Sequence, residues 1–218
     1  MNPFETRLEV LQSLESDLAH AFALRYPRTG KPRMVGLLFS RPEFKFAKEH
    51  ILAHWSHYHE RSGNSFDFFC VGYRHQVWDS NGLPVTHEFS TEAFNEIVAE
   101  IESNTNWKPS GENDLLLLDA SYDAASNKAS LDFSNCIKLN LDELVRGKAI
   151  ASVPAFFEQI FQFFKCYNGD NPTWKFSNVM LGNSTVNSIK KLILLLAPEK
   201  IRDEVEKVAN FAVKNISK

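Results

Sequence analysis

The sequence predicts an α/β protein whose core runs β-α-β-α-β-β-α around a mixed sheet of about four strands. Three observations predict it. MVGLLF (34–39), FDFFCVGY (66–73) and LLLL (115–118) are short apolar runs bounded by Pro, Gly or polar turn residues, as buried strands are. Segments with apolar residues at helical spacing, several opened by capping residues, lie between and after them. The chain has 218 residues, 44 % hydrophobic and 23 % charged, which suits one folded domain. Its 18 phenylalanines supply a large apolar area to bury.

The opening segment predicts a helix over residues 3–26. Asn2 is placed to cap it, Pro3 fits its first position, and Leu8, Leu11, Leu14, Leu18 and Phe22 recur at spacings of three and four. YPRTGKPR (26–33) ends it with two prolines and a glycine. The α/β core then spans residues 33–169. Met34–Phe39 is its first strand and Pro42 breaks it. A helix is expected from about Glu43 to Arg61, stopped at Gly63, before a second strand over Phe66–Tyr73. Strand, helix and strand of this length form a βαβ unit with a parallel pair. Residues 74–88, with DSNGLP at their centre, form a small hairpin or a loop.

Ser90 caps the next helix, with Phe89 and Phe94 spaced as a hydrophobic staple and Phe94, Ile97, Val98 and Ile101 on its core face. LLLLDASYD and ASLDFSNCIKLNL read as two strands joined through DAASNK. Ser152 caps a further helix, with Pro154 in its first turn, and Gly169 ends it. Two more helical stretches, Val186–Leu196 and Pro198–Ile216, make a C-terminal segment over 185–217. The whole chain, 1–218, is expected to be one domain: a three-layer core with extra N- and C-terminal helices.

The element order over Arg33–Gly169 resembles the thioredoxin-like fold, in which a parallel pair is followed by a third strand and an antiparallel fourth. In that fold the redox dithiol follows the first strand, at the start of the first helix, with proline between its cysteines. Here that place reads Ser40-Arg41-Pro42-Glu43. The proline is present and both cysteines are absent, so the resemblance implies the fold without the redox function.

The net charge of −3 and the lack of a dense Lys/Arg run argue against free duplex nucleic acid as a partner. Cys70, Cys136 and Cys166 stand far apart in apolar surroundings, with no CxxC, and are expected as buried thiols in a reducing cytoplasm. No apolar run is long enough to span a bilayer, and the N-terminus lacks the apolar stretch of a signal peptide. No G-x-S-x-G, G-x-G-x-x-G or P-loop pattern occurs.

Three constellations could carry chemistry. HILAHWSHYHE (50–60) holds four of the seven histidines. At about 100° per residue, His50, His54 and His57 share one stripe at the border of the buried face, with His59 on the opposite flank. They are candidate metal ligands, although the Glu of H-E-x-x-H is missing and the more ordinary reading is a half-buried boundary stripe. Glu112, Asp114, Asp119 and Asp123 surround the third strand. Asp119 and Asp123 fall near its expected carboxyl end, where ligands bind in sheets covered on both faces, although Asp is also a common turn residue. Finally, the turn at Ser40–Glu43 places Arg41 and Glu43 beside free N–H groups at a helix start, a candidate ligand or partner site, or a plain cap.

The expectation is a non-redox binding or interaction protein, cytoplasmic and without a cofactor, working in a larger assembly or as a homodimer. The alternative is a metal-dependent hydrolase or nuclease using the acidic cluster at 112–123 or the histidine stripe.

Overall fold

The computed structural model describes residues 8–11, 19, 32–62, 66–78, 84–167, 169–183 and 211–218. The expected helix at 186–196, most of those at 3–26 and 198–216, and the DSNGLP turn lie outside the described residues.

Five strands form a mixed sheet: β1 (Leu8–Leu11), β2 (Arg33–Phe39), β3 (Asp67–Val71), β6 (Asp114–Asp123) and β7 (Lys128–Asn140), in the order β1-β3-β2-β6-β7. β3 is parallel to both β1 and β2, while β6 is antiparallel to β2 and β7 antiparallel to β6. β4 (Tyr73–Trp78) and β5 (Pro84–Phe89) form a separate antiparallel ribbon, which settles the 74–88 connection as a hairpin. The helices are α1 (Lys45–His50), α2 (Trp55–Ser62), α3 (Thr91–Asn104), α4 (Leu141–Arg146), α5 (Val153–Cys166) and α6 (Pro172–Asn183).

Alternation along the strands divides the core between the two faces of the sheet. Leu38, Phe68, Cys70, Leu115 and Leu117 point to one face. There they meet Ile51, Trp55 and Tyr58, together with Phe156, Phe157, Ile160 and Phe161 of α5 and Phe176 of α6. Val35, Leu37, Phe69, Val71, Leu116 and Leu118 point to the other and meet Phe94, Ile97 and Ile101 of α3. β2, β3 and the first seven residues of β6 are buried on both sides, which is why they read as continuous apolar runs.

The caps expected at two helices are present. Ala93 N donates to Ser90 Oγ and Ala155 N to Ser152 Oγ, each at 3.2 Å. The Phe89 and Phe94 rings meet with centroids 5.6 Å apart, so the staple closes.

Several expectations are corrected. Leu8–Leu11, expected inside the N-terminal helix, is a strand paired with β3. Three apolar residues around Glu9 fit either period over so short a segment, and the open edge of β3 decides it. The helix expected over 43–61 is broken. α1 ends at His50, Ile51 adopts φ −117° and ψ −66°, and a 3₁₀ turn over Leu52–His54 leads into α2. The Tyr58 hydroxyl donates to the His50 carbonyl at 2.8 Å, satisfying an acceptor that the break releases. Residues 172–183, expected only as a connection, form α6, and Leu141, expected as the last residue of a strand, opens α4 (Leu141–Arg146), a helix the sequence left unassigned.

Residues 211–218 are not helical. Lys214 bridges Cys136 and Ile216 N donates to the Phe133 carbonyl, so this segment meets β7, an edge strand whose N–H and C=O groups need partners, while Ser217 bridges Thr105 past the end of α3. Cys70 and Cys136 are buried as expected, while Cys166 is exposed at the end of α5. Among the described residues no helix is long and apolar enough to cross a membrane.

Candidate functional site

The candidate residues fall at three separate places. The first is the end of the sheet where β2 and β3 terminate and β6 begins. Ser40 is buried and its hydroxyl donates to Asn113 Oδ1 at 2.7 Å. Asn113 in turn donates through its Nδ2 and backbone N–H to Asp142 Oδ2, at 2.8 and 3.0 Å. This chain ties the Ser40 turn to β6 and α4. Arg41 Nε lies 2.7 Å from Glu43 Oε1, and the guanidinium stands 5.6 Å from the centroid of the Phe94 ring. Both charged side chains of the turn are thereby engaged locally.

Of the acidic residues at the same end, Glu112 is engaged through both oxygens, and Asp114 through one, its buried Oδ1 having no hydrogen-bond partner among the described residues. Asn140 and Arg146 bond the Glu112 carboxylate, which holds it below the usual Glu range. Asp114 is fully buried, accepts from Ser110 N at 2.6 Å, and is pushed up by desolvation.

The histidines form the second place. With the helix broken at Ile51, the three no longer follow one helical wheel. The His50 ring is tilted against Phe46 with centroids 4.6 Å apart, His54 lies 6.0 Å from the Tyr58 ring, and His57 Nε2 is 3.3 Å from Glu158 Oε1. Arg61 makes a two-armed pair with the same Glu158, both bonds 2.8 Å, and this holds the Glu158 carboxyl below its usual range. That cluster joins α2 to α5. The His59 side chain lies outside the described residues. Among the described residues, no group of three or more His, Cys, Asp or Glu is placed to hold a metal ion.

The third place is a cleft of about 400 Å³ near the far end of β6, lined in part by Asp119, Ser121, Ser130, Asp132, Asn135 and Asn171. Its volume lies within the range of small-ligand pockets. A bulge builds it. Leu118 pairs with Cys136 but Asp119 pairs with Asp132, so residues 133–135 have no counterparts on β6. The bulge folds back on Asp132, whose carboxylate accepts from the N–H and hydroxyl of Ser134 and, at 2.6 Å, from Asn135 Nδ2. These donors hold Asp132 below the usual Asp range, against the opposing pull of burial.

Asp119 is 7 % exposed. Its Oδ1 accepts both the backbone N–H and the hydroxyl of Thr173, in the first turn of α6. No partner of Oδ2 is present among the described residues, and that atom is not sealed from solvent. Burial, more than Asp132, raises the Asp119 carboxyl above its ordinary value. Beside it, the Trp174 indole N–H donates to Asn135 Oδ1 at 2.7 Å. Trp174 is the exposed large hydrophobic side chain among the described residues, at 49 %.

Asp119 and Asp123, grouped by the sequence, are four residues apart on one strand, or about 13 Å. Asp123 sits in the exposed β6–β7 turn, accepting from Ala125 N and Ser126 Oγ, which lower it. The structure therefore pairs Asp119 with Asp132, and adds Asn135 and Trp174, none of which the sequence reading selected. The signals were present as DFSN, an Asp that can cap its own turn, and NPTW, a proline-led helix start carrying an aromatic.

A folded-state pKa above the unfolded one means that the native protein binds the Asp119 proton more tightly. Stability from this group is therefore present at low pH and declines as pH rises from the ordinary Asp value of 3.8 through the raised one. Asp119→Asn keeps an acceptor for Thr173 and removes that decline. Its urea midpoint relative to wild type is expected to be higher at pH 7 than at pH 4. An equal difference at both pH values would contradict the raised carboxyl.

No family model matches the chain, and no curated protein or solved structure does.

Proposed function

We propose that this chain is a non-redox binding protein on a three-layer thioredoxin-like core, acting through a ligand or partner taken up at the Asp119 cleft. The observation that carries the reading is the cleft itself: a preformed polar recess holding a nearly buried carboxylate, with an exposed tryptophan bonded to the lining residue Asn135. The strand order β1-β3-β2-β6-β7, parallel across its first three members and antiparallel thereafter, supports the fold assignment.

The chemistry at Ser40–Glu43 supports the non-redox part. Thiol exchange needs an accessible thiolate. The place of the dithiol instead holds Ser40, buried and bonded to Asn113. Burial drives the Cys70 thiol well up and the Cys136 thiol to about 12, so neither is a nucleophile at neutral pH.

A disulfide-reduction assay with insulin and dithiothreitol tests this. The expected rate equals the dithiothreitol background, and turnover above it would overturn the reading. Light scattering at low and high protein concentration separates a second copy of the chain from a different partner, since only self-association raises the mass with concentration.

A further inference from the structure

We infer that the Asp119 cleft binds an organic cation, a guanidinium or primary ammonium group, with Asp119 and Asp132 as its anionic partners and Trp174, bonded through its indole N–H to the lining residue Asn135, as the neighbouring aromatic group. The inference deepens the binding reading and rests on it.

The remaining hydrogen-bond capacity of the cleft decides the class of ligand. Asn135 spends its Oδ1 on Trp174 and its Nδ2 on Asp132. The Ser121 and Ser130 hydroxyls are 2.7 Å apart and bond each other. What is left at Asp119, a side chain only 7 % exposed, is an acceptor, its Oδ2, since Oδ1 is taken by Thr173. Among the described residues, no Lys or Arg lines the recess. A ligand must therefore bring donors, and two neighbouring carboxylates favour one that also brings positive charge.

An anion is opposed by the same charges. A small divalent ion needs more oxygen ligands than two cross-strand carboxylates supply, and no third His, Cys, Asp or Glu joins them among the described residues. The Trp174 indole, bonded to Asn135 of the lining, adds attraction for a cation that reaches its ring but not for an anion. The raised Asp119 carboxyl is consistent with this, since a cation would compensate the charge that burial disfavours.

The test is a ¹H–¹⁵N NMR titration of the full chain with agmatine, and with mannitol as the neutral donor-rich control. The Trp174 indole signal is assigned from Trp174→Phe. Agmatine is expected to move that signal and the Thr173 amide saturably, while mannitol at the same concentration leaves them in place. Asp119→Asn is expected to weaken agmatine binding by about tenfold or more, as loss of a charge-assisted bond does. Trp174→Ala should weaken it by about two- to fivefold.

If Asp119→Asn does not fold, Asp132→Asn gives the same comparison. A blocked tripeptide with one central arginine separates the sources. Tighter binding than agmatine assigns the site to peptide-borne cations, and weaker binding assigns it to free amines.

Equal shifts with mannitol, no shift with agmatine, or agmatine affinity unchanged in Asp119→Asn would overturn the inference. A silent agmatine titration together with background-level insulin reduction overturns the cation site alone. Reductase turnover overturns the non-redox reading alone.

Discussion

Phe157→Ala is expected to destabilise the fold by about 3–5 kcal/mol, the usual range for emptying a buried aromatic site. Phe157 is fully buried on α5. Its ring stacks on Phe68 of β3 at 4.5 Å and meets Tyr58 of α2 at 4.7 Å, so one side chain joins a central strand and two helices. Tyr58 also bonds the His50 carbonyl at the break between α1 and α2. Removing Phe157 therefore leaves a cavity and loosens the residue that stabilises the break. Urea unfolding followed by circular dichroism measures the loss. Trp174→Ala is the control, because that side chain is half exposed and surface changes usually stay within about 0.5 kcal/mol. If Phe157→Ala and Trp174→Ala lowered stability equally, Phe157 would not be the joint described.

The second large effect is expected at Gly72→Ala, roughly 2–4 kcal/mol of destabilisation from left-handed strain plus overpacking. Gly72 has φ +83° between β3 and β4, and its carbonyl accepts from Ser90 N at 2.7 Å. A Cβ there would lie 2.8 Å from the Phe94 Cβ, 2.9 Å from the Phe89 ring and 3.1 Å from the Ser90 carbonyl oxygen. The staple that starts α3 thus packs directly on this glycine. Gly111 separates the two contributions. It has a similar φ of +85°, but a Cβ added there would meet nothing within 4 Å. Gly111→Ala should therefore show only the conformational part, about 1 kcal/mol. Equal losses at the two glycines would mean that the staple yields without strain.

The site was less legible than the core. Asp119 stood out in the sequence because it follows a buried strand. The grouping around it was misdirected, because residues near in sequence on one strand are carried apart by about 3.3 Å each. Asp132, thirteen residues on, becomes its neighbour only through antiparallel pairing, and only because the bulge shifts the register between Leu118 and Asp119. Thr173 and Trp174 arrive from a helix still more distant in the chain. The histidine stripe failed as a geometric unit for a related reason. It assumed uninterrupted helix through Ile51, and the tertiary contacts of Tyr58 help stabilise a break there.

By itself the sequence determined the order of the central strands and helices, two of the caps and the staple, because these depend on local period and on side chains a few residues apart. It also determined that the Ser40–Glu43 turn carries no thiol. The tertiary structure alone decided that Leu8–Leu11 joins the sheet and that residues 211–218 pair with β7. It also decided that Asp119 stands beside Asp132 on neighbouring strands in the lining of the cleft. Each of these depends on which strand edge is open and in what register it pairs, and neither quantity is written in any single segment.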